Sequence, residues 1–308
     1  MNTSPEARGA LARSVRIFLL TPVLAAALAS FCYGMDPQRA LSQYIRDRWG
    51  TEQGFPRGSV YAITQTTDGY LWIGTEAGLV RFDGLQFRLI RDQSAALPVT
   101  SVLGLTADKD GSLWVRLRDM RVLRYRNGRF DDPFPALDAL PGVTAMTTTR
   151  GGDLLFARMQ MGAFTYHGHG LELFAPAQGV PRSPVLSVAQ TADGSVWMAT
   201  RGAGLFRLRE GRTMAVERGL PDPKVNILLP VGKDLWIGTD NGMARWDGSA
   251  ITTSGIPGAL GKLQILSLLR DRDANLWVGT DARGLLRFSA SGVASLDPGA
   301  DEPGSAIT

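Results

Sequence analysis

The chain has 308 residues, of which 44% are hydrophobic and 20% are charged, with 36 glycines and a formal net charge of +4. This composition excludes an intrinsically disordered chain, and the small net charge without a clustered basic motif argues against a nucleic-acid partner. A single cysteine, Cys32, excludes an internal disulfide, so the fold has to be stabilised by its core.

The N-terminal residues 1–29 predict an export signal. Three arginines within the first 16 residues precede an apolar run over residues 17–28, and Ala27-Leu28-Ala29 has the small-x-small pattern of a cleavage site. Cleavage would leave the rest of the chain in the periplasm. An uncleaved membrane anchor remains the alternative, because residues 17–35 carry no charge.

Residues 59–90 define a repeat of four short strands. The turns Asp68-Gly69 and Asp83-Gly84 supply the positive φ that a tight hairpin needs, and β-branched and aromatic residues flank them. The predicted strands are Ser59–Thr64, Tyr70–Thr75, Gly78–Phe82 and Phe87–Ile90.

An aromatic residue recurs in the second strand of each repeat, at spacings of 42, 42, 41, 39 and 41 residues. A period near 40 with four strands per unit is typical of β-propeller blades, which pack face to face around a channel. The fold class is therefore all-β, with six four-stranded blades whose recurring aromatics are core residues rather than ligand-stacking platforms. These residues are Trp72, Trp114, Phe156, Trp197, Trp236 and Trp277.

Both ends of the propeller region, residues 44–308, suggest more than six blades. Tyr44–Trp49 is predicted to be an outermost strand that lacks three partners, and residues 304–308 resemble the start of a seventh innermost strand. The expectation is a truncated seven-bladed ring with two bare blade faces.

The motifs Gln53-Gly54-Phe55-Pro56, Thr66–Thr75 and Gly78–Gly84 resemble the two-component regulator propeller repeat, and the resemblance extends over residues 44–308. It implies a seven-bladed periplasmic sensor followed by a β-sandwich, a membrane helix and a histidine kinase or diguanylate cyclase, which anchor the full-length receptor in the inner membrane. This chain would then be a non-catalytic input module without a cofactor. It would bind an unknown small molecule, glycan or protein, and the full-length receptor could dimerise.

Two sets of polar residues are candidates for ligand binding. Side chains two and four residues after each recurring aromatic share its face of the strand, and all six fourth positions are polar. The ring symmetry would place those six around one mouth of the channel. Polar residues are also common where loops begin, so a solvated edge is the alternative. The fourth positions are Glu76, Arg118, Gln160, Arg201, Asp240 and Asp281.

The second positions hold two arginines, Arg116 and Arg158, among Gly and Ala residues. A buried guanidinium needs a carboxylate, solvent or an anionic ligand, and structural pairing with a carboxylate is the favoured account. His167 and His169, the two histidines, lie in a turn predicted to open on the opposite face, and a metal site is not expected. Two other functions remain open: a lyase on the same scaffold, of the streptogramin-inactivating type, and a free periplasmic scaffold.

Overall fold

The computed structural model describes residues 45–91, 100–134, 143–149, 151–158, 162–167, 171–175, 183–216, 218–256, 258–281 and 283–289. These residues belong to one compact unit, residues 34–308. The predicted export signal and the predicted seventh innermost strand lie outside the described residues.

The described residues form 24 β-strands and two short 3-10 turns, Thr51–Gln53 and Gly258–Leu260. The first strand, β1, is Ile45–Trp49. Blade 1 consists of β2 (Val60–Gln65), β3 (Leu71–Thr75), β4 (Gly78–Phe82) and β5 (Phe87–Leu89). Blade 2 consists of β6 (Val102–Ala107), β7 (Leu113–Leu117), β8 (Val122–Arg126) and β9 (Arg129–Asp131). Blade 3 consists of β10 (Val143–Thr148), β11 (Leu154–Arg158), β12 (Gly162–Tyr166) and β13 (Leu171–Ala175).

Blade 4 consists of β14 (Val185–Gln190), β15 (Val196–Thr200), β16 (Leu205–Arg209) and β17 (Arg212–Val216). Blade 5 consists of β18 (Val225–Val231), β19 (Asp234–Thr239), β20 (Gly242–Trp246) and β21 (Ile251–Thr252). Blade 6 contains β22 (Ile265–Arg270), β23 (Leu276–Thr280) and β24 (Leu285–Ser289), and β1 is its fourth strand.

Blades 1 to 5 are antiparallel meanders of four consecutive strands, and in blade 6 the sequence-distant strand β1 pairs antiparallel with β24. The first strand of every blade contacts the first strand of the next, and β22 contacts β2, so that the six first strands form a closed ring around a channel. Pairs of neighbouring blades enclose the core between their faces. The predicted all-β, six-bladed architecture is confirmed.

The expectation that Tyr44–Trp49 lacks partners is wrong. Its described part, β1, pairs with β24 in blade 6, from Ile45 opposite Ser289 to Trp49 opposite Leu285. Trp49 stacks on Trp277 with 5.1 Å between ring centroids and 20° between planes. A strand from before the first repeat therefore completes the last blade.

The two faces expected to be bare pack against each other. Ser267 of blade 6 donates a hydrogen bond to the carbonyl of Val60 in blade 1 at 3.1 Å, and Arg272 donates to the carbonyl of Thr66 at 2.8 Å. A Cβ added at Gly279 would lie 2.5 Å from Val60 Cγ1, so the two blades approach as closely as glycine allows. The seam between blades 6 and 1 is thus closed by the described blades, without a seventh.

Blade 3 follows a register one residue away from the predicted one. In blade 1 Thr75 lies opposite Val60, three residues after Trp72, whereas in blade 3 Arg158 lies opposite Val143. The structural equivalent of Trp72 is consequently Leu155, not Phe156. Phe156 is fully buried as expected, but it packs on the opposite face of its strand from the other recurring aromatics.

Candidate functional site

One mouth of the channel is surrounded by equivalent residues of the six blades. Each first strand contains a register shift at the same place, opposite the end of the second strand. The extra residue of each shift is partly exposed. Solvent reaches a first strand along the channel and at the end of the strand, so these residues lie at the mouth. We call these residues the bulge ring: Tyr61, Leu103, Thr144, Leu186, Asn226 and Leu266.

A second ring of polar residues surrounds the bulge ring where the second strands end. The backbone N–H of each residue donates to the carbonyl just before the first strand of its own blade, at 3.0 to 3.3 Å. This shared bond shows that the residues are geometrically equivalent and lie at one end of the ring. They are the polar rim: Glu76, Arg118, Arg201, Asp240 and Asp281. The structure thus brings together five of the six predicted rim residues.

The sixth predicted rim residue, Gln160, lies outside the described residues. Arg158 is misplaced by the prediction, because the second position of blade 3 is Ala157. The sequence signal for this slip is weak, since Leu155 and Phe156 are both apolar and either can occupy the aromatic position.

Asp240 is the most strongly held member of the polar rim. Its carboxylate accepts hydrogen bonds from Lys224 Nζ at 2.8 Å, Asn226 Nδ2 at 2.8 Å and Gln264 Nε2 at 2.7 Å. Burial alone would raise the pKa of Asp240, but these bonds outweigh it and the pKa lies below its ordinary value. Because Asn226 belongs to the bulge ring, the two rings are joined here.

The other rim side chains are exposed and more weakly held. Asp281 accepts a hydrogen bond from Ser59 Oγ across the seam between blades 6 and 1. Arg118 Nε donates to Ser101 Oγ at 3.2 Å. Among the described residues neither Arg118 nor Arg201 forms an ion pair, so both guanidiniums are available at the mouth.

Arg116 extends from β7 toward the bulge ring. Its Nη2 donates to the carbonyl of Leu103 at 3.0 Å, while its buried Nε has no hydrogen-bond partner. Burial lowers the pKa of Arg116 to about 10, and no described carboxylate pairs with it, so the predicted ion pair is not found in the part of the chain that the structure describes. Gly104, opposite on β6, leaves the space that the guanidinium occupies, 3.1 Å from where a Cβ would lie.

A second repeated arginine escaped the sequence prediction. It lies on the third strand, opposite the recurring tryptophan, and in blades 1, 2, 4 and 6 it stacks on that ring. Arg207 lies 5.2 Å from the Trp197 centroid and Arg287 5.6 Å from that of Trp277. Aspartates pair with it, for example Asp193 with Arg207. The sequence does contain a pattern that could have predicted this series. An arginine directly precedes the last aromatic residue or leucine of each third strand, except in blade 3, where Thr165 takes its place. The series is Arg81, Arg124, Arg207, Arg245 and Arg287.

His167 lies in the turn between β12 and β13, at the end of the blade opposite the polar rim, as predicted. Its Nδ1 is 2.9 Å from Asp153 Oδ1 and its Nε2 3.5 Å from Glu172 Oε2. The hydrogen bond to Asp153 raises the pKa of His167 above its ordinary value. His169 lies outside the described residues.

Among the described residues no group of three His, Cys, Asp or Glu side chains is arranged to hold a metal ion. The same residues include no helix with the length and apolar character needed to span a membrane.

The fold and the equivalent loop ends define a six-bladed β-propeller with a polar mouth. Comparisons with known proteins add a family match and several solved structures with the same fold. Residues 54–77 match the family described as "Two component regulator propeller", which confirms the resemblance seen in the sequence. The matched residues include β2 and β3, the first two strands of blade 1. No curated protein sequence matches the chain.

Solved structures share the fold at low sequence identity. One is described as the extracellular domain of the hybrid two-component system BT3049 from B. thetaiotaomicron, with a TM-score of 0.62 and 18% identity over 80% of this chain. The match covers 42% of that longer domain, so this chain spans less than half of its length. A streptogramin B lyase (TM-score 0.60, 13% identity) is matched over 82% of this chain and 99% of its own.

A third similar structure is a catalytically inactive His-to-Ala variant of virginiamycin B lyase from Staphylococcus aureus, solved with quinupristin. Its TM-score is 0.58 and its identity 15%, over 80% of this chain and 99% of the lyase. At these identities the likeness concerns the fold alone.

Proposed function

We propose that this chain is the periplasmic ligand-recognition module of a two-component or cyclic-di-GMP signalling receptor and carries no catalysis of its own. The observation that supports it is the pair of concentric rings at one mouth of the channel. Six partly exposed bulge-ring residues lie inside five polar rim residues. Such a mouth presents apolar contacts at its centre and orienting charges at its edge, as ligand sites usually do.

The charges of the rim are unevenly distributed. Arg118 and Arg201 belong to blades 2 and 4, whereas Asp240 and Asp281 belong to the adjacent blades 5 and 6. Arg116 adds a guanidinium beside the bulge ring on the arginine side. A ligand across this mouth would meet cationic groups on one side and carboxylates on the other, which fits a polar small molecule, a glycan fragment or a peptide end.

The matched family and the extracellular domain of a hybrid two-component system support a signalling role for such a mouth. In that setting, the receptor would continue into a membrane helix and an output domain, a histidine kinase or a diguanylate cyclase. The ligand would act by changing how the propeller contacts those later parts.

A lyase is the second candidate, because two lyases match over nearly their full length. The chemistry of the mouth argues against it. The structure of an inactive His-to-Ala variant indicates a histidine that matters in that enzyme. Here the one histidine in the described residues, His167, lies at the opposite end of the ring.

Both functions can be tested on the purified protein. Thermal shift against a panel of oligosaccharides, amino acids and dipeptides should identify a stabilising compound. Its affinity should fall at least about tenfold in Arg118→Gln and in Arg201→Gln, with the melting temperature of the free protein unchanged. Arg212→Gln, an exposed arginine on the outer strand β17, is the matched control.

Equal affinity in the rim variants and the control would refute the rim as the binding site. Incubation of the wild-type protein with quinupristin, followed by mass spectrometry, tests the lyase. We expect an unaltered chromatographic retention time and fragment spectrum; these two readouts carry the test, because ring opening by elimination would leave the total mass the same. Conversion of quinupristin that is lost on boiling the protein would overturn the non-catalytic proposal.

A further inference from the structure

A cleft of about 550 Å³ lies beside the polar rim, at the seam where the ring closes. One wall is formed by the end of β1 and the segment that leads into blade 1, residues 48–58. The other wall is the loop between β23 and β24, which contributes Asp281 and Arg283. Its volume lies within the range of small-molecule sites, about 300–1,000 Å³.

Three arginines line this cleft: Arg48, Arg57 and Arg283. All three are exposed, and within the described part of the chain none forms an ion pair or a side-chain hydrogen bond. Elsewhere in the propeller, arginines such as Arg124 and Arg287 are held by aspartates at 2.7 Å or less. The three cleft arginines thus differ from these arginines, because they lie in one cleft and no described carboxylate forms an ion pair with them.

Two carboxylates also line the cleft, and they do not neutralise it. Asp281 is already engaged by Ser59 Oγ, and Glu52 lies on the short turn after β1. Three guanidiniums against two carboxylates leave a net positive charge. The floor contains Phe55, which is buried and packs edge-on against Phe87 with 5.0 Å between centroids. Because this packing holds Phe55 in place, the floor of the cleft is fixed.

We propose that this cleft binds a small molecule through an anionic group, a carboxylate, a phosphate or a sulfate. The planar guanidinium binds such groups through paired N–H donors, and a fork of arginines from two walls can hold one anion from both sides. The cleft shares Asp281 with the polar rim, but none of its three arginines belongs to the rim, and the proposal does not depend on ligand recognition by the rim.

Occupation of the cleft has a mechanical consequence. The anion would join the end of the closing strand β1 and the segment that follows it to the loop before β24, the strand with which β1 pairs. Because the two walls meet only when β1 is docked in blade 6, the anion would bind the closed ring and not the unfolded chain. Binding would then stabilise the fold by mass action.

The test uses thermal unfolding of the purified protein with sodium phosphate, sodium sulfate or sodium acetate as the probe, at constant ionic strength set by sodium chloride. We expect at least one probe to raise the melting temperature of the wild type by several degrees at saturation. If phosphate or sulfate stabilises the protein and acetate does not, the preferred group is a phosphate or a sulfate. If only acetate stabilises it, the preferred group is a carboxylate. Isothermal titration calorimetry supplies the affinity.

Arg57→Gln and Arg283→Gln should each weaken the affinity about tenfold or more, while Arg212→Gln should leave it unchanged. Without the probe, both cleft variants should melt at or slightly above the wild-type temperature, because one of three unpaired like charges is removed. Equal stabilisation of all four proteins would mean a general salt effect and would overturn the proposal. So would the absence of any shift with all three probes.

Discussion

Blades 2 and 3 differ from the other four blades at the same place, the end of the second strand. In blades 1, 4, 5 and 6 a Gly or Ala is followed by a buried threonine, whose hydroxyl donates at 2.8 to 3.0 Å to the carbonyl of a glycine that starts or directly precedes the next strand. Blade 2 has Arg116-Leu117 and blade 3 has Ala157-Arg158 at these positions.

Among the described residues, buried side-chain atoms without a hydrogen-bond partner occur in blade 2, at Ser112 Oγ, Trp114 Nε1 and Arg116 Nε, and also in blade 5, at Asp234 Oδ1 and Trp236 Nε1. They therefore do not separate the two groups of blades, and the difference lies in the strand ends and in the aromatic stacking. Blade 3 lacks the tryptophan and arginine that stack elsewhere, because Leu155 and Thr165 take their places. Four blades therefore share one strand-end hydrogen bond, while blades 2 and 3 lack the threonine that makes it, and blade 2 introduces Arg116 beside the bulge ring. Such departures are where function is expected.

The largest effect should come from removing a tryptophan in a regular blade. Trp277→Ala removes a buried ring that contacts Trp49 and Phe82, and should cost about 3–5 kcal/mol of unfolding free energy. Leu155→Ala, at the equivalent place in blade 3, should cost less, about 2–3 kcal/mol. Urea unfolding measures both. A larger loss for Leu155→Ala would contradict the assignment of blade 3 as the weaker blade.

Arginines in the two regions should respond with opposite sign. Arg287→Leu loses the ion pair with Asp47 and the stacking on Trp277, and should cost about 1–2 kcal/mol. Arg116→Leu replaces a poorly paired buried guanidinium with an apolar side chain, and should leave the stability unchanged or raise it. A loss of stability in Arg116→Leu as large as in Arg287→Leu would show that Arg116 is a structural residue.

The stability of the rim should depend on acid pH through Asp240. Its pKa is lowered in the folded state, so its contribution is present above the ordinary carboxyl pKa of 3.8 and is lost as the pH falls through the folded value. Asp240→Asn should therefore show a smaller loss of melting temperature than the wild type when the pH is lowered from 5 toward 3. Parallel profiles for the two proteins would contradict this assignment.

The smallest effect should be found in blade 3 at alkaline pH. The pKa of His167 is raised by its hydrogen bond to Asp153, so the stabilising charge is present below the ordinary value of 6.5 and is lost as the pH rises through the folded value. His167→Gln should remove this part of the pH dependence between about pH 6 and 9. If the variant keeps the wild-type profile of melting temperature, the pair contributes nothing because solvent screens it.

Much of this fold follows from the sequence, because each repeat carries its own strands and turns. The recurring tryptophan and the Asp-Gly turns placed five of six blades in register, and the polar rim followed from alternation along a strand. The predicted register of blade 3 was wrong by one residue, because the neighbouring apolar residues Leu155 and Phe156 fit the pattern equally well. The partner of β1 could not be derived locally, since pairing with β24 joins residues about 240 positions apart and competes with any other free sheet edge.

The candidate sites were predictable to different degrees. Arg116 was conspicuous because it interrupts a series of small residues. Only the structure shows that no described carboxylate pairs with it. The cleft at the closing seam was invisible in the sequence, because its arginines come from residues 48–57 and from residue 283. Only the docking of β1 in blade 6 brings these segments together.

The docking of β1 in blade 6 is the central claim, and a double-mutant cycle on Trp49 and Trp277 tests it most directly. Urea unfolding of the wild type, Trp49→Leu, Trp277→Leu and the double variant gives the coupling free energy of the two rings. Stacked rings 5.1 Å apart should be coupled by about 0.5–1.5 kcal/mol. Additive losses, with no coupling beyond experimental error, would contradict ring closure by β1.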